Sequence, residues 1–163
     1  MRARVIFAGL ALVVVVLGVL VAGKERILAH GTPVLLELAP VDPRSLMQGD
    51  YMVLDYALSR EVAQQDHHAR DGSLVLRLDE NGVGRFVREH APDTPLDPGE
   101  LLLRYKVRKR RVRLGAETFF FQEGHAERYA RAKYGELRVA GDGSSVLVGL
   151  RDAERQPLGR DVP

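Results

Sequence analysis

Residues 5–23, VIFAGLALVVVVLGVLVAG, run for nineteen positions without a charged or hydrogen-bonding side chain. A helix that is apolar all round has no wet face to offer, so it needs complete burial or a membrane. At a rise of 1.5 Å per residue, about 20 apolar residues cross the roughly 30 Å hydrocarbon layer. The sequence therefore predicts a transmembrane helix. Arg2 and Arg4 precede the run, and Lys24, Glu25 and Arg26 follow it with a net charge of +1. The bias of basic residues toward the cytoplasm then places the N-terminus inside and everything after residue 30 on the far side. Small residues at 21–23 also offer a signal-peptide cleavage point before Lys24. The run is longer than the 7–15 residues usual for a signal peptide, which favours retention as a signal-anchor. Ala11, Gly18 and Ala22 share one helix face, and Gly18 and Ala22 have the small-xxx-small spacing by which membrane helices pack.

The chain divides at this point into an anchor with a short extension, residues 1–30, and a domain, residues 31–163. Gly31 stops the helix and Pro33 prevents its resumption. The net charge of +2 comes from 24 basic and 22 acidic residues. Arg2 and Arg4 account for that excess, so residues 24–163 are electrically balanced. A balanced domain lacks the positive surplus that drives phosphate binding by counterion release, which argues against a nucleic-acid partner. The absence of cysteine excludes disulfides, thiolate metal sites and cysteine nucleophiles together.

Beyond the anchor the periodicity is that of strands. Residues 34–39 form a short apolar run, 51–59 alternate, and 73–78 and 83–87 flank a turn at Asp79-Glu80-Asn81-Gly82. Leu101, Leu103, Tyr105 and Val107 fall on odd positions, whereas Val112 and Leu114 fall on even ones. A turn at residues 108–111 explains that change of register, and its return strand is expected to run on toward Phe119, Phe120 and Phe121. Residues 137–140 and 146–150 make a third hairpin around Gly141-Asp142-Gly143. Asp42-Pro43 and Gly49 bracket a single helical turn at 43–48. Residues 124–134 place Ala126, Tyr129, Ala130 and Lys133 at helical spacing, with Glu127 and Arg131 four apart and Gly135 as terminator. Residues 64–72 and 90–99 are loops. The expected class is α+β, mostly β: an N-terminal transmembrane helix, then a compact antiparallel β-rich domain with one or two short helices.

The most distinctive segment is PVDPRSLMQGDYMVLDY at 40–56. It resembles the family named for its GDYXXLXY motif, and Gly49, Asp50, Tyr51, Leu54 and Tyr56 match every defined position. A second family-like block, GAETFFFQEG at 115–124, supplies Gly115, Glu117, Phe120, Glu123 and Gly124. The resemblance extends over most of 34–150. Ser45 replaces an acid frequent after the PR pair, and Gln122 a proline frequent before the late EG. The resemblance implies a bacterial, membrane-anchored domain that keeps company with polytopic membrane proteins, and it brings no catalytic residue with it. For this chain that means the inner membrane, crossed once, with the C-terminal domain in the periplasm.

Read physically, Gly49 permits a turn at positive φ, and Asp50 can cap the turn or pair with Arg44. The strand that follows puts Met52, Leu54, Tyr56 and Leu58 on one face and Tyr51, Val53 and Asp55 on the other. Leu54 and Tyr56 are core candidates. A binding role would need Tyr51 and Asp50 to line a groove with Glu117 or Glu123.

Catalysis has little to stand on in this sequence. Ser45 with Lys106 echoes a serine–lysine dyad, but Lys106 lies between Arg104 and Arg108 on what reads as a solvated face. Asp66, His67, His68 and Asp71 share a loop, with His90, Glu123 and His125 elsewhere, yet their spacing matches no metal signature. The basic run Arg104, Lys106, Arg108, Lys109, Arg110, Arg111, Arg113 reads as a hairpin tip, and Arg108 to Arg111 could meet anionic headgroups. The expected function is that of a membrane-anchored accessory or partner-binding module working with a polytopic membrane protein. The alternative is an exported, hydrolase-like enzyme using carboxylates near the GDY and EG motifs. The sequence assigns no catalytic residue, metal or cofactor.

Overall fold

The computed structural model describes residues 2–39, 51–64, 71–109, 111–115 and 117–159, with side chains left aside at 2–5 and 8. Helix α1, Arg2–His30, runs unbroken for 29 residues. It closes at Gly31, whose N–H donates to the Ile27 carbonyl at 2.8 Å. A Cβ at Gly31 would lie 2.5 Å from that same oxygen, so the chain can leave the helix there only as glycine. The next residue already belongs to β1, Thr32–Glu37. The apolar side chains of α1 stand clear of the domain: Phe7, Leu12 and Val19 are 69%, 66% and 67% exposed. Among the described residues, no helix is long and apolar enough to cross a membrane.

The remaining elements are β2 (Tyr51–Val53), α2 (Ala57–Ala63), β3 (Asp71–Leu78), β4 (Gly84–Glu89), β5 (Glu100–Arg108) and β6 (Arg111–Arg113). They are followed by β7 (Thr118–Phe120), α3 (Ala126–Tyr129), β8 (Tyr134–Val139), β9 (Ser145–Arg151) and β10 (Pro157–Leu158). There are two four-stranded antiparallel sheets, in the orders β1-β8-β9-β10 and β4-β3-β5-β6, and a separate two-stranded ribbon, β2-β7. The fold is therefore α+β, dominated by antiparallel sheet.

Alternation places the core. Val34 and Leu36 of β1, Leu137 and Val139 of β8, and Leu103 and Tyr105 of β5 turn inward into one shared cluster. Arg104 and Lys106 between them stay in water. In β3 the consecutive Leu74, Val75 and Leu76 are all buried, because a bulge at Val75/Leu76 breaks the pairing with β4. The two large sheets meet at their margins. Leu35 pairs with Val83 as a parallel bridge, and the Arg104 N–H donates to Gly143 of the β8–β9 turn at 2.9 Å.

Three sequence expectations are corrected here. The strand expected over 51–59 ends at Val53, and α2 takes over at Ala57, burying Leu58, Ser59 and Val62. The residues ALSREVA favour helix, and Tyr56 with φ −93° and ψ 137° is an extended N-cap whose carbonyl receives the Ser59 and Arg60 N–H groups. The return strand of the second hairpin also stops early, at Arg113. Gly115 then turns the chain at φ +82°, and β7 joins β2 rather than extending β6. Finally, the helix expected over 124–134 shrinks to Ala126–Tyr129, because β8 has begun by Tyr134 and claims Gly135 for the sheet. The helical turn expected at 43–48 lies outside the described residues.

Candidate functional site

The two blocks of the motif, more than sixty positions apart, are strand partners. Tyr51 pairs with Phe120, Met52 with Phe119 and Val53 with Thr118. The Leu54 N–H extends the ladder to the Glu117 carbonyl at 2.8 Å. This pairing splits the residues between two faces. Inward, Met52 and Leu54 are buried, and Phe119 and Phe121 pack on Tyr129 with ring centroids 5.0 and 5.3 Å away. Outward, the rings of Tyr51 and Phe120 meet at a tilt of 44° with centroids 5.8 Å apart, and Val53 is 40% and Phe120 73% exposed. The outward face is an aromatic and aliphatic patch open to solvent.

Tyr56 belongs wholly to the interior, with no exposed surface. Burial, and after it the negative charge of Glu117, pushes its phenol well above the usual tyrosine range. It therefore remains neutral and offers no base. Asp55, next to it, accepts both Nε and Nη2 of Arg60, at 3.0 and 2.8 Å, on a single oxygen. That contact braces the first turn of α2.

Of the two acids in the second block, Glu117 serves a turn. Glu117 Oε1 accepts the Gly115 N–H at 3.0 Å, which leaves its carboxylate committed to the bend before β7. Glu123 is exposed beside Gly124, whose φ of +80° is one that glycine tolerates best. The glycines at the two ends of GAETFFFQEG are thus the two left-handed corners that set β7 against β2. Gly49 and Asp50 lie outside the described residues, so the groove imagined between Asp50 and these carboxylates falls outside them too.

The other sequence candidates are scattered. Ser45 and residues 66–68 are outside the described residues, and Lys106 is an exposed strand residue opposite Arg113. Among the described residues, no group of three His, Asp or Glu side chains is placed to hold a metal ion. Arg108 and Arg111 face each other at the β5–β6 tip, with Lys109 at φ +50° between the strands and Arg110 outside the described residues. Arg104 is set apart from that run, since its Nη2 meets the Asp142 carboxylate at 2.9 Å. Ala11, Gly18 and Ala22 are exposed on α1, and a Cβ at Gly18 would meet nothing within 4 Å.

Sequence reasoning set Tyr51 on the face opposite the core residues but missed Phe120 as its partner there. The signal was there in the three consecutive phenylalanines: a strand must send one of them the opposite way from its neighbours.

A helix leading directly into two antiparallel sheets, with a two-stranded ribbon whose outer face is aromatic, defines a mostly β member of the α+β class. The chain belongs to the GDYXXLXY protein family, whose family model matches residues 13–150. No curated protein and no solved structure matches it.

Proposed function

We propose that this chain is an accessory module anchored in the inner membrane by α1, which presents residues 31–163 in the periplasm to a polytopic membrane protein. The observation that carries this reading is the uncovered apolar surface of α1. Leu10, Leu12, Val13, Val15, Leu17 and Leu20 are all more than half exposed, a state that water does not favour along so long a helix. The span proposed is the charge-free run 5–23 alone, about 28 Å long, with Lys24, Glu25 and Arg26 at its outer end. Taken over the described residues alone, no helix is long and apolar enough to cross. The stripe of Ala11, Gly18 and Ala22 offers a close-packing face to a second helix in the bilayer. Outside it, the Tyr51–Phe120 patch offers the same partner a second contact.

A reporter active only in the periplasm, fused after Pro163, tests the orientation, and alkaline extraction of membranes tests the anchor. Reporter activity together with retention in the extracted membrane is the expected result. A silent reporter overturns the orientation, and release of the chain by alkali, or quantitative cleavage before Lys24, overturns the anchor.

A further inference from the structure

We propose that the cleft between the last turns of α1 and the β8–β9 turn seats the headgroup of one anionic glycerophospholipid. This rests on the anchored reading above, and it names a ligand that reading leaves open. The cleft measures about 700 Å³. Val19, Leu20 and Gly23 line its lower part, Lys24, Arg26 and His30 its upper part, and the β8–β9 turn closes the opposite side.

Helical spacing produces this division. Residues 19, 23, 26 and 30 form one ridge of α1, and 20, 24 and 27 the adjacent ridge, so a single face changes from apolar to cationic along its length. The change falls at Gly23, where the uncharged run ends. With that run in the hydrocarbon, Lys24 and Arg26 lie about 1.5 to 5 Å beyond its edge, at headgroup depth. A Cβ at Gly23 or at Gly141 would meet nothing within 4 Å, so both walls of the cleft stand open at this level.

Charge decides what fits. Among the described residues Asp142 is the only acid in the lining, and its carboxylate is already engaged. It accepts the Ser144 N–H at 2.9 Å, the Ser144 hydroxyl at 3.0 Å and Arg104 Nη2 at 2.9 Å. Among the described residues no ion pair is formed by Lys24 or Arg26. The cleft therefore holds unneutralised positive charge directly above apolar wall. A phosphodiester bearing acyl chains satisfies both halves at once, whereas a free phosphate satisfies only the upper one.

The full chain in detergent micelles, titrated separately with phosphatidylglycerol and phosphatidylcholine, provides the test, with retained lipid read by native mass spectrometry. One phosphatidylglycerol per chain is expected, in preference to phosphatidylcholine. Replacing Lys24→Gln and Arg26→Gln together should weaken that retention about thirtyfold, roughly fivefold for each basic residue removed from a membrane surface. The tip variant Arg108→Gln, Lys109→Gln, Arg111→Gln should retain the lipid like the parent. Equal retention of the two lipids, no effect of the Lys24/Arg26 pair, or loss in the tip variant would each overturn the assignment. Displacement of the lipid by excess soluble glycerophosphate would also overturn it, in favour of a site for free phosphate esters. A chain that alkali strips from membranes removes the anchor and this site together, whereas an anchored chain without lipid preference removes the site alone.

Discussion

The ring of Tyr56 occupies the space that Gly135 leaves open: a Cβ on Gly135 would lie 3.0 Å from both Cε1 and the hydroxyl oxygen of that ring. Gly135 sits in β8 opposite Leu36 of β1, so the last residue of the GDYXXLXY motif is keyed into the sheet that carries the chain out of α1. Removing either partner should show in stability. Tyr56→Ala is expected to cost about 3–5 kcal/mol, as large aromatic truncations in cores do. Gly135→Ala should cost about 1–3 kcal/mol by overpacking. Denaturant titration of the chain in micelles checks both. Parent-like midpoints for the two variants would show that the ring is not held where it is placed.

The outward half of the ribbon should behave in the opposite manner. Phe120→Ser removes a side chain that is 73% exposed, and its cost is expected to be roughly 0.5 kcal/mol or less. The same variant should lose crosslinks between the domain and the membrane partner proposed for it. A fall in stability as large as that of Tyr56→Ala would make Phe120 a core residue and remove the patch.

The two left-handed corners of the second block give a backbone test. Gly115→Ala and Gly124→Ala each force a Cβ into positive φ and should cost about 1–2 kcal/mol. A Cβ at either position would meet nothing within 4 Å, so crowding cannot account for the loss. Melting temperatures of the two variants should therefore fall by similar amounts.

Acid should loosen the 90–99 loop through Glu100. Its side chain is 1% exposed, and it accepts Arg88 Nη1 at 2.6 Å and the Asp97 N–H at 3.0 Å. The Arg88 hydrogen bond, then that of Asp97, holds its carboxyl below its ordinary 4.5. On acidification the unfolded chain thus takes up the proton first. The contribution of Glu100 to stability is whole above 4.5 and is lost as the pH falls from there through the lowered folded-state value. Glu100→Gln should flatten the acid limb of a plot of urea midpoint against pH. The flattening will be partial, since Asp79 and Asp142 are also held low by backbone N–H donors, those of Val83 and Ser144 first among them. An unchanged acid limb would contradict the ion pair.

On the anchored reading proposed above, a cysteine at Gly18 should crosslink to a second helix and one at Val16 should not. The two positions lie about 200° apart around the helix, and the chain holds no other cysteine. Equal adducts at both would mean that the small-residue face has no special neighbour.

How much of this was readable beforehand depended on whether a local rule had competition. The hairpins β3–β4 and β8–β9 were legible because alternation and turn residues agree there, and Gly82 and Gly143 do adopt positive φ. Residues 51–59 misled because Met52, Leu54, Tyr56 and Leu58 are all buried, as a strand would require, although the last belongs to α2. Alternation survives the change of backbone by one residue and conceals it. Gly135 misled for another reason: it terminates no helix, and its role is set by a ring 79 positions away in sequence. The partnership of Tyr51 with Phe120 was likewise out of reach, since nothing local to either residue names the other strand.

Only Gly31 separates α1 from β1, and its carbonyl accepts Arg138 Nη1 from the neighbouring strand at 3.3 Å. So short a joint leaves few backbone dihedrals through which the helix and the sheets could turn independently. A turn of α1 about its own axis is thereby passed on to the sheets, and with them to the direction in which the Tyr51–Phe120 face points. One residue inserted into α1 between Gly18 and Gly23 would turn that bearing by about 100° without altering a single side chain of the domain.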